Sequence, residues 1–225
     1  MKTTENKLQL LNKEIIRCRA CPRLVSYREQ VARKKVRRFL DWEYWGRPLP
    51  GFGDLNAKLL VIGLAPAAHG GNRTGRMFTG DDSGNWLAKA LNEIGFANKP
   101  FSNTKDDGLQ LKGAYITAVA RCAPPDNKPT KEEIGNCSRY LRREMQILKK
   151  LKVVLTLGKI AFDSYLKYLS LSQKPKFKHG SAYKCEGFPI LIASYHPSRQ
   201  NTQTKKLTWE MWIEVFKKVR ELIKN

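Results

Sequence analysis

The chain has 225 residues, with 42 Lys and Arg against 20 Asp and Glu, which gives a formal net charge of +22. Hydrophobic residues make up 41% and aromatic residues 10% of the chain, which excludes an intrinsically disordered protein and favours one domain with a sizeable core. The sequence has no apolar run long enough to span a membrane and no recognisable secretory leader, so we expect no membrane partner and a cytoplasmic protein.

Short buried strands alternate with helices along the chain. The predicted strands cover residues 59–62, 114–119, 153–157 and 189–193. The predicted helices cover residues 83–94, 130 to about 150, 158 to about 169, and 208–223. Residues 22–56 and 170–188 show little periodicity, and we expect them to form surface segments. This alternation predicts an α/β fold with a parallel sheet covered on both faces, in which ligands bind at the carboxyl ends of the strands.

The excess of positive charge favours a nucleic-acid partner, because a polyanion offsets the repulsion between so many cations. The densest basic run is Arg33-Lys34-Lys35-Val36-Arg37-Arg38. This run fits phosphate binding and equally fits a solvated basic face or the lysine enrichment of a thermophilic protein. A membrane-surface role is disfavoured, since the aromatic residues of the helix at 208–223 have the spacing of a helix packed on a core.

Four of the five cysteines have the pattern of a metal site. Cys18 and Cys21 form a CxxC pair, and Cys122 and Cys137 flank the start of the helix predicted near residue 130. The spacing favours an iron–sulfur cluster or a zinc site, without choosing between them. A redox-active CxxC and scattered buried thiols are the alternatives. Cys185 is expected to be a bystander.

A glycine-rich loop follows the first predicted strand. Five glycines occur from Gly63 to Asp81, and backbone N–H groups in such a loop can hold an anion or the edge of a base. Phe78 could stack on a planar ring, although a lone phenylalanine is more often part of a core. A flexible loop is the alternative, which the interspersed Pro66, Asn72 and Phe78 disfavour.

A polar, basic segment follows the last predicted strand, beginning at His196-Pro197 and reaching Lys206. The position of His196 between a strand end and a proline restricts its backbone. Its imidazole could donate a hydrogen bond to a developing anion, and a structural role is equally compatible with the sequence. The basic residues that follow suit phosphate contacts.

These segments together resemble the uracil-DNA glycosylase superfamily, specifically its family 5. The residues that carry the resemblance are Gly63-Leu64-Ala65-Pro66-Ala67, Gly75-Arg76-Met77-Phe78-Thr79-Gly80-Asp81, Arg121-Cys122-Ala123-Pro124-Pro125 and His196-Pro197-Ser198-Arg199-Gln200-Asn201-Thr202. The resemblance covers about residues 15–222. It implies a three-layer α/β/α sandwich with a central parallel sheet. That sandwich would be a single domain over residues 1–225, with an N-terminal arm, about 1–56, tied in by a metal cluster.

The resemblance also implies an activity: excision from DNA of uracil, and of other deaminated bases such as hypoxanthine and xanthine, in base excision repair. The implied cofactor is a 4Fe–4S cluster bound by Cys18, Cys21, Cys122 and Cys137. Phe78 matches the residue that stacks on the flipped base, and His196 matches the catalytic histidine of the second motif. The remaining positions expected to contact substrate are Gly63, Ala65, Pro66, Ala67, Asp81 and Ser198.

Two departures from related families bear on the mechanism. Most of the superfamily carries a catalytic carboxylate or asparagine where this chain has Ala65, an absence that family 5 shares. We therefore interpret Asn72 as the catalytic residue that positions water or contacts the sugar. Asp81 or Asp82 is an alternative acid or base, and equally a helix cap. Ala118 occupies the position where family 4 has an asparagine that reads uracil, which predicts a broader pocket.

Phosphate contacts are expected from polar and basic residues near the two loops, namely Arg73, Arg76, Arg199, Asn201, Lys205 and Lys206. No lysine is placed for a Schiff base, so we expect hydrolysis that leaves an abasic site without strand cleavage. A monomer associated with the nucleoid fits an enzyme that clamps DNA. The alternatives are a non-catalytic iron–sulfur protein that binds single-stranded nucleic acid, and a structural module stapled by zinc.

Overall fold

A computed structural model describes residues 2–171 and 173–224. The helices are α1 (Lys2–Arg17), α2 (Pro22–Lys34), α3 (Gly71–Thr74), α4 (Asp82–Glu93), α5 (Lys131–Ile147), α6 (Lys159–Leu169), α7 (Arg199–Gln203) and α8 (Trp209–Lys224). The strands are β1 (Phe52–Gly53), β2 (Leu59–Gly63), β3 (Ala114–Ala118), β4 (Val153–Leu157), β5 (Ala182–Tyr183) and β6 (Ile190–Ser194). The four predicted strands and four predicted helices are all present, within a few residues of their predicted ends.

The strands form one sheet in the order β1-β3-β2-β4-β6-β5. Its four inner strands are parallel, as predicted. The edge strands β1 and β5 pair antiparallel with β3 and β6 and are missing from the sequence prediction. Each has only two residues, too few to produce a periodic pattern, so pairing with a neighbouring strand is what makes them strands.

Helices cover both faces of this sheet. Side chains alternate along a strand, so Leu59 and Val61 of β2 pack in the cluster that includes α4 and α8. Leu60 and Ile62 pack on the opposite face with α1, α5 and α6. Because both faces are covered, every residue of β2 is buried. The resulting α/β/α layering agrees with the expected fold class.

The order of the inner strands creates a crevice at their carboxyl ends. From β2 the chain moves to β3 on one side and then crosses to β4 on the other side. The loops that leave neighbouring strands therefore diverge, and ligands in open α/β sheets bind where this reversal occurs. The glycine-rich loop after β2 and the segment after β6 both begin at this edge.

The helix ends follow the capping signals of the sequence. Thr130 Oγ1 accepts from the Glu133 backbone N–H at 3.2 Å, and the Glu133 carboxylate accepts from the Thr130 N–H at 2.7 Å. This is the reciprocal capping box predicted for α5. Trp212 anchors α8, since its ring is fully buried and its indole N–H donates to the Trp86 carbonyl at 3.2 Å. Among the described residues, every helix is too short or too polar to cross a bilayer.

The N-terminal arm is more ordered than the sequence prediction for it. Helix α2 occupies part of the segment 22–56, which we expected to be irregular; Pro22 starts it, and Leu24, Val25 and Arg28 are its buried residues. The periodic signal is weak because one of the three inward positions is an arginine. Helix α1 packs on α5, and an ion pair joins Glu14 to Arg143 across the two helices.

A buried ion pair lies under the active-site end of the sheet. Arg121, just after β3, is 1% exposed and Glu144 of α5 is fully buried, with 2.6 Å between their charged atoms. The Thr117 hydroxyl donates to the same carboxylate oxygen at 2.7 Å. Removing one partner of such a pair leaves an uncompensated charge in the interior.

Replacing Glu144 with alanine should therefore lower the free energy of unfolding by about 3–5 kcal/mol, because Arg121 would remain buried without its counter-ion. Urea unfolding measures the change. The matched control is Glu214→Ala, which removes the exposed partner of Lys217 and should cost at most about 1 kcal/mol. Equal effects of the two substitutions would contradict this account.

Candidate active site

The loop between β2 and α4 is held together by its own hydrogen bonds. The Asn72 N–H donates to the Ala67 carbonyl at 3.0 Å, which starts the short helix α3. The Arg73 guanidinium donates to the carbonyls of His69 at 2.8 Å and Gly80 at 2.9 Å. The two limbs of the loop are thus tied to one another through a single side chain, so the loop presents a defined surface.

Two glycines fix the position of Phe78 on this loop. Phe78 has a φ of +49°, and its ring lies so close to Gly63 that a Cβ there would be 2.6 Å from ring atom Cε2. A Cβ on Gly84 would be 2.3 Å from the Phe78 carbonyl oxygen. Gly63 pairs in register with Ala118 at the end of β3. Small residues at both strand ends therefore form the floor beneath the aromatic ring.

His196 faces Phe78 from the other side of the crevice. The centroids of the two rings are 5.9 Å apart, with 32° between their planes. The Asn201 amide donates to the His196 carbonyl at 2.8 Å, and the Ser198 side chain caps α7. The Ser83 hydroxyl of α4 donates to the Pro197 carbonyl at 2.8 Å. The two loops singled out in the sequence therefore meet at one place, as the predicted site requires.

Burial keeps the His196 imidazole uncharged. The pKa of His196 is lowered from 6.5 to about 4, and removal of the ring from water is the cause. At neutral pH the ring carries one N–H, which is a donor, and one unprotonated nitrogen. The site thus offers a neutral hydrogen-bond donor beside an aromatic face.

Asp81 caps α4 and borders the same loop. Its Oδ1 accepts from the Gly84 N–H at 2.8 Å, and a Cβ on Gly70 would be 2.1 Å from its Oδ2. Burial raises the pKa of Asp81, and neighbouring Asp82 raises it further. The cap predicted as one of its two roles is present, while the second carboxylate oxygen lies against the glycine backbone.

Asn72 lies inside the protein rather than in the crevice. Its side chain is fully buried, and its amide donates to the Arg28 carbonyl of α2 at 3.2 Å. Its side-chain oxygen has no hydrogen-bond partner among the described residues. This placement joins α3 to the N-terminal arm, and it argues against the direct sugar or water contact predicted for Asn72.

Two of the arginines expected at phosphates are also buried within the loop. Arg73 is 4% exposed and is engaged by the two carbonyls described above. Arg76 is 6% exposed and forms an ion pair with Asp107 at 2.8 Å, with further bonds to Thr79 and to the Lys105 carbonyl. Both guanidiniums hold the loop in shape, so in this conformation neither is available to a phosphate.

The remaining predicted residues line the crevice or its rim. Pro66 is buried, and Ala65 and Ala67 are partly exposed. Lys205 is exposed, and the Arg199 side chain is 77% exposed, with only a loose 4.0 Å contact to Asp82. These two cations, unlike Arg73 and Arg76, are accessible to an anionic ligand.

The sequence analysis missed an aromatic segment that supports the loop. Phe39 and Trp42 sandwich the Arg73 guanidinium, whose Cζ is 3.8 Å and 4.0 Å from their ring centroids. The Tyr44 hydroxyl is 3.1 Å from His69 Nδ1. The available signal was three aromatic residues in four positions, Trp42, Tyr44 and Trp45, directly after the densest basic run.

Four cysteines line one cavity on the opposite side of the loop. Cys18, Cys21, Cys122 and Cys137 surround about 270 Å³ of empty space, and all four are free thiols. Cys185 is buried elsewhere, in the core under α6. In the described residues, no three metal-binding side chains converge as they would around one ion. The arrangement therefore suits a centre larger than a single ion, with one thiolate at each corner.

Hydrogen-bond donors surround these sulfur atoms. Arg28 Nη1 is 3.1 Å from Cys122 Sγ, and Asn136 Nδ2 is 3.5 Å from Cys21 Sγ. Burial raises the pKa of the Cys122 thiol to about 12, so it holds its proton unless a metal replaces it. Donors aimed at sulfur are typical of metal thiolates. Since the Arg28 carbonyl also binds Asn72, one residue links this cavity to the glycine-rich loop.

Comparison with known proteins gives a consistent result. Residues 50–220 match the uracil DNA glycosylase superfamily model. The chain is 50% identical to a type-5 uracil-DNA glycosylase of Pyrobaculum aerophilum, over 91% of this chain and 88% of that protein. It is 50% identical to one of Thermus thermophilus over 91% and 93%, and 46% identical to one of Mycobacterium leprae over 94% of each.

The three histidines should titrate below the ordinary range, with His196 the lowest, near pH 4. NMR of the imidazole Cε1–H resonances, assigned by single substitution, measures this directly. Because its folded pKa lies below the unfolded value, His196 should make the free energy of unfolding fall as the pH is lowered from about 6.5 to 4. A His196 midpoint near 6.5 would contradict the burial argument.

Proposed function

The chain belongs to the uracil-DNA glycosylase superfamily, and we propose that Phe78 and His196 form the site at which it acts on DNA. It is a DNA-repair enzyme that cleaves uracil from DNA. The observation that carries the site assignment is the 5.9 Å approach of the two rings above the small residues Gly63 and Ala118. An aromatic face and a neutral donor at this spacing can hold a planar base between them.

The target base must leave the helix before it can reach this crevice. Unstacking costs a few kcal/mol, and less at a mismatch such as uracil opposite guanine. The extruded ring stacks on Phe78, whose position is fixed by its backbone and by Gly63. Ala65, Pro66 and Ala67 form the adjoining wall, and the loop N–H groups read the edge of the base.

His196 stabilises the leaving base. When the N-glycosidic bond breaks, its electron pair goes to the base, which becomes an anion, and the sugar becomes an oxocarbenium ion. The neutral His196 ring donates its N–H to the anion without having to lose a charge first. A preorganised donor of this kind typically contributes about 10²–10³ in rate.

Water then adds to the sugar and loses a proton, which leaves an abasic site. With Ala65 in the first motif, the chain's own acidic group nearest the loop is Asp81, whose pKa is raised by burial. A carboxylate with a raised pKa is a better base near neutral pH, so Asp81 is our candidate for orienting the water. Asn72 we now assign to positioning, because it joins the loop to α2.

Contact with the DNA strand falls to the exposed cations of the second loop. Arg199 and Lys205 are accessible, and Lys206 lies over the Tyr195 ring at 5.2 Å. Asn201 and Ser198 hold the His196 segment in place rather than reaching phosphate. We further propose a monomer acting at the nucleoid, without a strand-cleaving step.

The range of bases extends beyond uracil. Ala118 is 1% exposed and lies beside Gly63, so this part of the floor has no side-chain amide that selects one pattern of donors and acceptors. Shape and stacking then dominate, which admits hypoxanthine and other deaminated bases. Recognition through hydrogen bonds would have been far more selective.

A 4Fe–4S cluster bound by Cys18, Cys21, Cys122 and Cys137 accounts for the thiol cavity. The type-5 relatives and the cavity's donor set support it, with Arg28 and Asn136 as the hydrogen-bond donors to sulfur. The cluster supplies structural cross-linking rather than chemistry on the base. It ties the N-terminal arm, about residues 1–56, to β3 and α5 within a single domain.

Replacing His196 with alanine should lower the single-turnover excision rate about 10²–10³-fold through loss of the donor, and Phe78→Ala should weaken it through loss of stacking. The assay uses duplex oligonucleotides with one uracil, followed by alkaline cleavage; hypoxanthine or thymine in the same position tests the wider range. His179→Ala is the control. DNA binding without any base release by the unaltered protein would favour the non-catalytic alternative.

The purified protein should be brown and hold four irons per chain, as the cluster formula requires. Cys122→Ala should abolish iron retention, because the loss of one thiolate opens the cavity, whereas Cys185→Ala should keep the full iron content. Iron analysis and electron paramagnetic resonance after reduction measure both. A colourless protein with bound zinc would instead support the zinc-stapled module.

A further inference from the structure

A basic groove lies on the N-terminal arm, outside the site described above. It is formed by the end of α1, the outer face of α2 and the segment 44–47, and it encloses about 510 Å³. Its lining includes the cations Arg17, Arg19, Arg33 and Arg47 and the aromatic residues Tyr44 and Trp45. Part of the densest basic run, which fitted either phosphate binding or a solvated face, thus faces a concave surface.

Most of the groove's positive charge is not neutralised by the protein. Glu29 is its only acidic lining residue, and it pairs with Arg19 at 2.6 Å. Arg17, Arg33 and Arg47 are exposed and form no ion pair within the described residues. Guanidinium groups match the geometry of phosphate oxygens, and several of them along one concavity attract an extended polyanion.

The groove is continuous with the glycine-rich loop. The Tyr44 hydroxyl contacts His69 Nδ1 at 3.1 Å. The backbone N–H groups of Trp45 and Gly46 donate to the carbonyls of Arg73 and Asn72, each at 3.0 Å. One wall of the groove is therefore hydrogen-bonded to the loop that carries Phe78, so a strand engaged at the crevice can extend directly along it.

We propose that this groove binds the sugar–phosphate backbone of the DNA strand on one flank of the extruded nucleotide. The inference rests on the proposed function only in taking DNA as the partner. Arg17, Arg33 and Arg47 contact successive phosphates, and Trp45, flanked by Arg47 at 5.6 Å and Lys105 at 5.3 Å, offers an apolar face against a sugar. Together with Arg199 and Lys205, the groove gives the enzyme phosphate contacts at two places around the crevice.

The test removes the three unpaired cations together, in the variant Arg17→Ala/Arg33→Ala/Arg47→Ala. Its affinity for a uracil-free duplex should fall at least about tenfold at moderate salt, and the slope of log affinity against log salt should shrink by about two. The control, Lys149→Ala/Lys150→Ala/Lys167→Ala, removes the same charge from exposed positions at the opposite end of the sheet. It should retain the slope.

A second measurement locates the contact. Single-turnover excision is compared on duplexes shortened on one side or the other of the uracil. The unaltered protein should need more enzyme for half-maximal rate when one particular flank is removed, and the triple variant should be insensitive to that same removal. Equal losses in the triple variant and its control, or equal sensitivity to both flanks, would overturn the groove assignment. Absence of excision by the unaltered protein would instead refute the proposed function, while the uracil-free binding result would stand.

Discussion

The position of one aromatic ring constrains the whole active site. Phe78 has a left-handed backbone conformation and lies on Gly63, where even a single Cβ would overlap the ring. That contact requires a glycine at the end of β2, a small partner at Ala118 and a compact loop between them. The hydrogen bonds of Arg73 and Arg76 serve this requirement, because they fold the loop tightly enough to hold the ring in place.

Removal from water sets the electrostatics around the ring. The charged form of His196 is disfavoured by burial, so the imidazole acts as a neutral donor. Burial likewise raises the pKa of Asp81. A site with an alanine in its first motif thus retains an anion-stabilising group on one side and a basic group on the other. The cost of extruding a base is met at the rim, by exposed cations.

The N-terminal arm links the thiol cavity, the groove and the active-site loop. Arg28 is the shared element: its guanidinium donates to Cys122 Sγ, its carbonyl accepts from Asn72, and its side chain borders the groove. A centre bound at the cysteines would fix α2, and α2 in turn supports the loop. A structural cluster can therefore influence DNA binding without taking part in the chemistry.

The sequence by itself determined the four inner strands, the four long helices after residue 56 and the two loops that meet at the crevice. Those features depend on local periodicity, capping residues and motif order, which are encoded within short stretches. Only the tertiary structure decided which arginines are free: Arg73 and Arg76 look like phosphate ligands in the sequence, yet they are buried by carbonyls and by Asp107 from outside their own segment. It also decided that Asn72 faces α2 and that Arg17, Arg33 and Arg47 share one groove. Burial and charge pairing depend on residues distant in the chain, and no local pattern records them.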